Sequence, residues 1–213
     1  MLAGQPVVQL PTFNKPSIAV DTELLNPKQI ATQWIRKLEA VLQADNISSL
    51  VEIMHADSWW RDMLGFSWDF RTIHGIKEIS TYIGENQGRA RLHKFKIRES
   101  GNFVPQFKTP LTGLSWIESM FDFESSSGNG SGMLRLLEDA NGTWKGCMLY
   151  TALQEMKDFK ELVGTRRPHG GISSLIGGAQ KGNWLERRQR KMEFVDEEPT
   201  VLIAGAGPYK MAR

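Results

Sequence analysis

Apolar residues recur at helical spacing through the first part of the chain and at alternating spacing through its middle. Ile30, Trp34, Leu38, Val41 and Leu42 share one helical face, Asn26 is a good N-cap and Pro27 suits the first helical position. The pattern predicts a helix from Pro27 that ends at Asp45-Asn46, and Ile47, Leu50, Val51 and Met54 predict a second, shorter one. Residues 57–71 are dense in aromatics, holding Trp59, Trp60, Phe66, Trp68 and Phe70. Gly75 precedes a further helical pattern in Ile76, Ile79 and Ile83, stopped by the polar Asn86-Gln87-Gly88. Beyond residue 89 the period changes. Residues 91–98, with Leu92, Phe95 and Ile97, predict one strand, and 114–123, with Phe121 and Phe123 on one face, predict another. The polar run 125–131 reads as a hairpin loop. Residues 133–138 and 144–153 then flank Asp139-Ala140-Asn141-Gly142, whose Asn-Gly is the strongest turn signal in the sequence. Helices first and an antiparallel meander second predict an α+β fold with helices packed on one face of a curved sheet.

Composition sets the organisation around that domain. A chain of 213 residues, 40% hydrophobic and 23% charged, supports one main core with a tail. Residues 1–25, with Pro6, Pro11 and Pro16, read as an extended arm, and 26–163 as the folded domain. Six glycines between 164 and 183 mark a linker. In the remainder, 184–213, residues 184–194 predict a short basic helix, read either as a solvated connector or as a binding element. The apolar run Val201-Leu202-Ile203-Ala204 then leads into Gly205-Ala206-Gly207, the way a dinucleotide-binding unit opens. Lys210 stands where the third glycine belongs and three residues follow it. The motif therefore reads as a vestige, and no flavin, nicotinamide or other cofactor is expected.

Charge and cysteine content narrow the classes further. A formal net charge of +2 is too small for a nucleic-acid partner. The single cysteine, Cys147, excludes an internal disulfide and a cysteine-based zinc site, and mid-strand it reads as a buried inert thiol. The histidines at 55, 74, 93 and 169 lack ligand spacing, so no metal is expected. No apolar run approaches ~18 residues, which predicts no membrane span and a cytoplasmic protein.

Several spaced motifs agree in order with one family. Trp60-Arg61-Asp62-Met63-Leu64, Trp68-Asp69-Phe70-Arg71-Thr72 with Gly75, Trp144-Lys145-Gly146 with Leu149-Tyr150-Thr151, Arg167-Pro168, Trp184-Leu185-Glu186-Arg187-Arg188, and Glu198-Pro199-Thr200-Val201-Leu202-Ile203 together resemble the front part of fungal flavin-containing monooxygenases. There a SnoaL-like domain, of the cone-shaped nuclear transport factor 2 type, precedes the flavin-binding Rossmann domain. The resemblance spans about residues 30–207 and departs from the family at Pro208. It implies a cone with helices closing over a bent antiparallel sheet. It also implies a pocket for cyclisation, isomerisation or hydrolysis of small hydrophobic metabolites, and a homodimer formed through the open sheet face.

The residues themselves supply candidate chemistry. Seven tryptophans and ten phenylalanines exceed what a small core needs, and surplus aromatics suit an apolar binding site. If Lys145 points to solvent, Trp144, Gly146, Met148 and Tyr150 face the helices, and Tyr150 offers a phenol donor to a ligand carbonyl. If Leu134, Leu136 and Glu138 face out, Met133, Arg135 and Leu137 face in, with Arg135 alternatively an edge charge. The expected catalytic residues are Tyr150, Asp62 and His74. The expected lining is Trp60, Trp68, Trp116, Phe121, Phe123, Met133, Arg135, Trp144 and Met148. Structural roles compete with these: Asp69 and Arg71 as a pair holding a helix on the sheet, Asp62 as a surface pair with Arg61 or a helix-start charge, His74 as a turn residue, and Glu118 on a solvated strand face. The function expected is a cofactor-independent cyclase or isomerase of secondary metabolism. It would fold a terpenoid or polyketide-like substrate in the aromatic pocket, a [4+2] cycloaddition being one form. The alternative is a non-catalytic hydrophobic-ligand carrier or protein-interaction module.

Overall fold

The computed structural model describes residues 25–44, 46–111, 113–167 and 183–194. The predicted arm (except Leu25), most of the predicted linker and the Gly205-Ala206-Gly207 motif lie outside them. The chain divides into two compact units between Glu161 and Leu162.

In the first unit, helix α1 (Pro27–Gln43) starts where expected, with Asn26 Oδ1 accepting from the Gln29 amide at 3.0 Å. It buries Ala31, Trp34, Ile35, Leu38 and Leu42, and Trp34 Nε1 donates to the Ile53 carbonyl at 2.8 Å. That bond ties α1 to the short α2 (Leu50–Ile53), which runs directly into β1 (Met54–Met63). The aromatic stretch is thus extended, forming β1 and β2 (Phe70–His74). On β1, Ser58, Trp60 and Asp62 are buried while Arg61 is exposed, the alternation of a strand with one face on a core. Helix α3 (Ile76–Ala90) continues past the predicted stop because Gln87 is satisfied inside: its amide donates to the Leu92 carbonyl at 3.1 Å and accepts from the Leu92 amide at 3.2 Å.

The remaining strands are β3 (His93–Ile97), β4 (Gln106–Leu111), β5 (Leu114–Glu124), β6 (Gly128–Glu138) and β7 (Trp144–Met156), with β4 not foreseen from the sequence. The sheet runs β2-β1-β7-β6-β5-β3, with β4 also on β5. Sheet pairing is antiparallel except for β1 on β7, so the expected antiparallel sheet is in fact mixed. The fold class is the α+β expected, with helices on one face of a curved, unclosed sheet. The polar run read as a loop is mostly strand. Gly130 and Gly132 on β6 are seats for aromatic rings: a Cβ on either would lie 2.2 Å from the Phe123 ring and 2.3 Å from the Phe121 ring, respectively. The Asn-Gly turn forms as expected, and Asp139 Oδ1 accepts from the amides of Asn141 and Thr143 at 2.9 Å each.

In the second unit, α4 (Trp184–Met192) opens with a reciprocal cap. Asn183 Oδ1 accepts from the Glu186 amide and Glu186 Oε2 from the Asn183 amide, both at 2.9 Å. No described helix is long and apolar enough to cross a membrane.

Candidate functional site

Cross-strand register sorts the candidate residues onto two faces. On the helix-covered inner face, Trp60, Leu149 and Leu134 are successive partners across β1, β7 and β6, and all are buried. On the outer face one row runs His74, Trp59, Met148, Arg135, Glu118, Gln106, and the next runs Thr72, Arg61, Tyr150, Met133, Met120.

A bulge explains why parity reasoning placed Met148 and Tyr150 wrongly. Arg135 pairs with Met148 but Leu136 pairs with Gly146, so Cys147 is an extra residue in β7 and the alternation resets there. Gly146 faces inward as expected, towards Met54 and Trp34, whereas Met148 and Tyr150 turn outward. On β6 it is Leu134 and Leu136 that are fully buried, which puts Met133 and Arg135 on the outer face, the reverse of the expectation. The Cys147 thiol is buried, bonds to the Arg135 carbonyl at 3.2 Å, and is pushed by burial up to a pKa of about 12. It is the inert thiol expected.

The expected lining therefore does not converge. Trp60, Phe121 and Phe123 belong to the core, with Phe121 and Phe123 packed on each other and on Phe95. Trp144 packs edge-on against Phe107, and Trp68 is 63% exposed. Met133, Arg135, Met148 and Trp116 share the outer face, where the Arg135 guanidinium lies 4.7 Å from the Trp116 ring centre. A cavity of about 420 Å³ lies against α1, but Asn26, Lys28, Gln29, Thr32, Gln33 and Arg36 line it, a polar set on the side away from the sheet.

The three expected catalytic residues also separate. The Tyr150 hydroxyl donates to Met63 Sδ at 3.3 Å, and His74 pairs with Asp57 while stacking on Trp59 with ring centres 4.1 Å apart. Both lie outside. Glu118, expected in solvent, is 8% exposed and accepts from Lys108 at 2.7 Å and Arg135 at 2.8 Å. Burial pushes its carboxyl up, but the hydrogen bonds from Lys108 and Arg135 outweigh that and hold it below the ordinary value. Asp69 and Arg71 do pair, at 2.7 Å, but with each other on the surface instead of tying a helix down.

Asp62 alone sits on the inner face, 0% exposed, at the end of β1. The readings of it as a surface partner of Arg61 or a helix-start charge are thereby overturned: it is a buried strand residue, and Arg61 bonds to Thr72 on the outer face. Oδ1 accepts from the Thr151 hydroxyl at 2.6 Å, and Oδ2 from the Tyr82 hydroxyl at 2.9 Å and the Phe66 amide at 3.0 Å. Thr151 in turn accepts from Trp60 Nε1 at 3.0 Å, and the Tyr82 oxygen lies 3.0 Å from Ser67 Oγ. Because Tyr82 spends its proton on Asp62, Ser67 is the donor in that last contact. Among the described residues Asp62 forms no ion pair. Burial, followed by the nearby Asp62, raises the Tyr82 phenol to a pKa of about 12, so it is a proton donor throughout the neutral range.

The turn that completes this cluster is held under strain. Leu64 adopts a φ of 65°, a region that costs an ordinary residue about 1–3 kcal/mol. Gly65 follows because a Cβ there would lie 2.6 Å from Asp62 Oδ1. Beyond the turn, Trp68 and Phe70 are 63% and 60% exposed. Polarity and spacing mark none of Tyr82, Ser67 and Thr151 as a site residue, Thr151 standing in the sequence only as part of the Leu149-Tyr150-Thr151 motif. Tyr82 falls three residues after Ile79, at the edge of the buried stripe of α3, and that position was the one signal available. Among the described residues no group of His, Cys, Asp or Glu could hold a metal ion.

No known family profile matches the chain, and no curated protein matches it. Solved structures are similar at low identity. An NTF2-like protein from Cytophaga hutchinsonii is 13% identical over 61% of this chain and 100% of its own, with a TM-score of 0.44. Nuclear transport factor 2 from Cryptosporidium parvum is 13% identical over 67% and 100%, with a TM-score of 0.44. ActVI-ORFA from Streptomyces coelicolor is 9% identical over 58% and 94%, with a TM-score of 0.43.

Proposed function

We propose that this protein is a cofactor-independent acid–base catalyst of the isomerase or cyclase class, working at the strained turn between β1 and β2. The observation that carries the reading is a fully buried carboxylate served only by neutral donors and linked by two hydroxyls, Tyr82 and Ser67, to the half-buried rim of the turn. A substrate seated on Trp68 meets its sequence neighbour Ser67 first. The C–H proton leaves to Ser67 Oγ, the Ser67 proton moves to Tyr82, and the Tyr82 proton moves to Asp62 Oδ2. Ser67, at the half-buried rim, exchanges its proton with water, and running the same chain backwards then returns a solvent-derived proton to another carbon, so nothing is consumed. Hydrogen-bonded chains of this kind shift protons without displacing heavy atoms, and a fixed donor set stabilises the developing charge.

The substrate class is a hydrophobic terpenoid or polyketide-like molecule with an acidified C–H, because Trp68 stands exposed beside Ser67 at the turn. Proton transfer is favoured over [4+2] cycloaddition, since the latter needs an enclosing cavity and Trp60, Phe121 and Phe123 are committed to the core. To test the reading, linear precursors are incubated with protein and no added cofactor. Wild type should change the isomer ratio relative to buffer and Asp62→Asn should restore the buffer ratio; a wild-type ratio equal to buffer removes the proposal.

A second reading, a homodimeric interaction module, is favoured by the outer face. There Met63, Met120, Met133, Met148, Tyr150 and Trp59 are only half-buried, a soft apolar surface of the kind used at interfaces. Light scattering on the purified chain decides it: a monomer at all concentrations excludes the homodimer.

A further inference from the structure

Helix α4 is the element that neither reading uses. Its cap is local, its Gln189 side chain bonds to Glu193 at 3.1 Å, and Arg188 lies over the Trp184 ring at 5.4 Å. At 3.6 residues per turn, positions 184, 185, 188 and 192 fall within about 100° of arc. Trp184, Leu185 and Met192 on that stripe are 64%, 64% and 68% exposed, and Phe194 just beyond the helix is 51% exposed. Positions 187 and 191 fall on one flank of the stripe and position 190 on the side away from it, and all three are basic in the sequence. The acidic Glu186 falls opposite. From 184 to 194 there are four basic residues, Arg187, Arg188, Arg190 and Lys191, against two acidic ones, Glu186 and Glu193.

We propose that α4 is an interfacial helix that seats on anionic bilayer surfaces. A short helix that is polar overall, with a narrow apolar stripe ending in Trp and a basic flank, suits the boundary between lipid headgroups and acyl chains. Trp184, Leu185 and Met192 would enter that boundary while the basic positions beside the stripe meet lipid phosphates, each cation near such a surface adding roughly fivefold to partition. Arg188 serves both sides: its stem covers the indole and its charge reaches outward. An acidic protein groove would share the charge preference but would not need an exposed Trp at the stripe's edge. The four large apolar residues left in water therefore favour lipid.

The full chain is sedimented with vesicles of phosphatidylcholine alone or with phosphatidylserine added. Binding at least about tenfold stronger to the phosphatidylserine vesicles, weakened by salt, is expected. Trp184→Ala with Leu185→Ala should abolish it, and so should Arg187→Gln with Arg188→Gln, with the thermal melt of the first unit unchanged in both. Absence of sedimentation overturns the proposal, as does equal binding to both vesicle types or full binding by the Trp184/Leu185 variant. Retention on polyglutamate without vesicle binding assigns the helix to an acidic protein and likewise overturns it.

Discussion

The two faces of the sheet handle buried charge differently. On the outer face Glu118 is bracketed by Lys108 and Arg135, and its proton affinity is lowered accordingly. On the inner face Asp62 is more deeply buried and yet, among the described residues, meets only hydroxyls and an amide. An ion pair fixes charge in place, whereas a hydroxyl chain lets protons move along it. On the proposed reading the difference separates a scaffold from a site, and it can be probed from both sides.

The largest effect is expected in the inner core. Phe121→Ala removes a ring seated on Gly132 and should cost about 3–5 kcal/mol in chemical denaturation. Next comes the outer pair. Glu118→Gln leaves two cations without their carboxylate and should cost about 1–3 kcal/mol at neutral pH. The folded pKa of Glu118 is lowered, so its stabilisation is present above the unfolded value and lost as pH falls through the folded one; the Gln variant should show a flatter acid limb. Tyr82→Phe should cost about 1 kcal/mol. Because the phenol is raised from 10.0 to about 12, its contribution is intact below pH 10 and lost as pH rises towards 12, so the Phe variant should lose less stability there. The smallest effect on stability belongs to Trp68→Ala, within about 0.5 kcal/mol, since the side chain is 63% exposed. The same change should still weaken substrate retention, and a variant that retains substrate fully would detach Trp68 from the site.

Much of this architecture was legible in the residues. Asn26-Pro27 announced α1, Asn141-Gly142 announced the β6–β7 turn, and alternation announced β3, β5 and β7. Trp59 and Trp60 were harder: a run of aromatics has no clear period, and only tertiary burial of alternate residues makes β1 a strand. The candidate site was half legible. Asp62 stood out as a charge among aromatics, but its partners Tyr82 and Thr151 come from α3 and β7, and no local pattern connects residues so distant in sequence. Tyr150 was misplaced because one inserted residue, Cys147, reverses every side chain after it, and a bulge of this kind leaves no mark in polarity.

The claim that Asp62 exchanges protons with a substrate through Tyr82 and Ser67 is tested most directly by turnover in deuterated water, read by mass spectrometry of the product. Wild type should place solvent deuterium at the isomerised carbon, and Asp62→Asn should place none. Product formed without label, or label that persists in Asp62→Asn, would contradict the account.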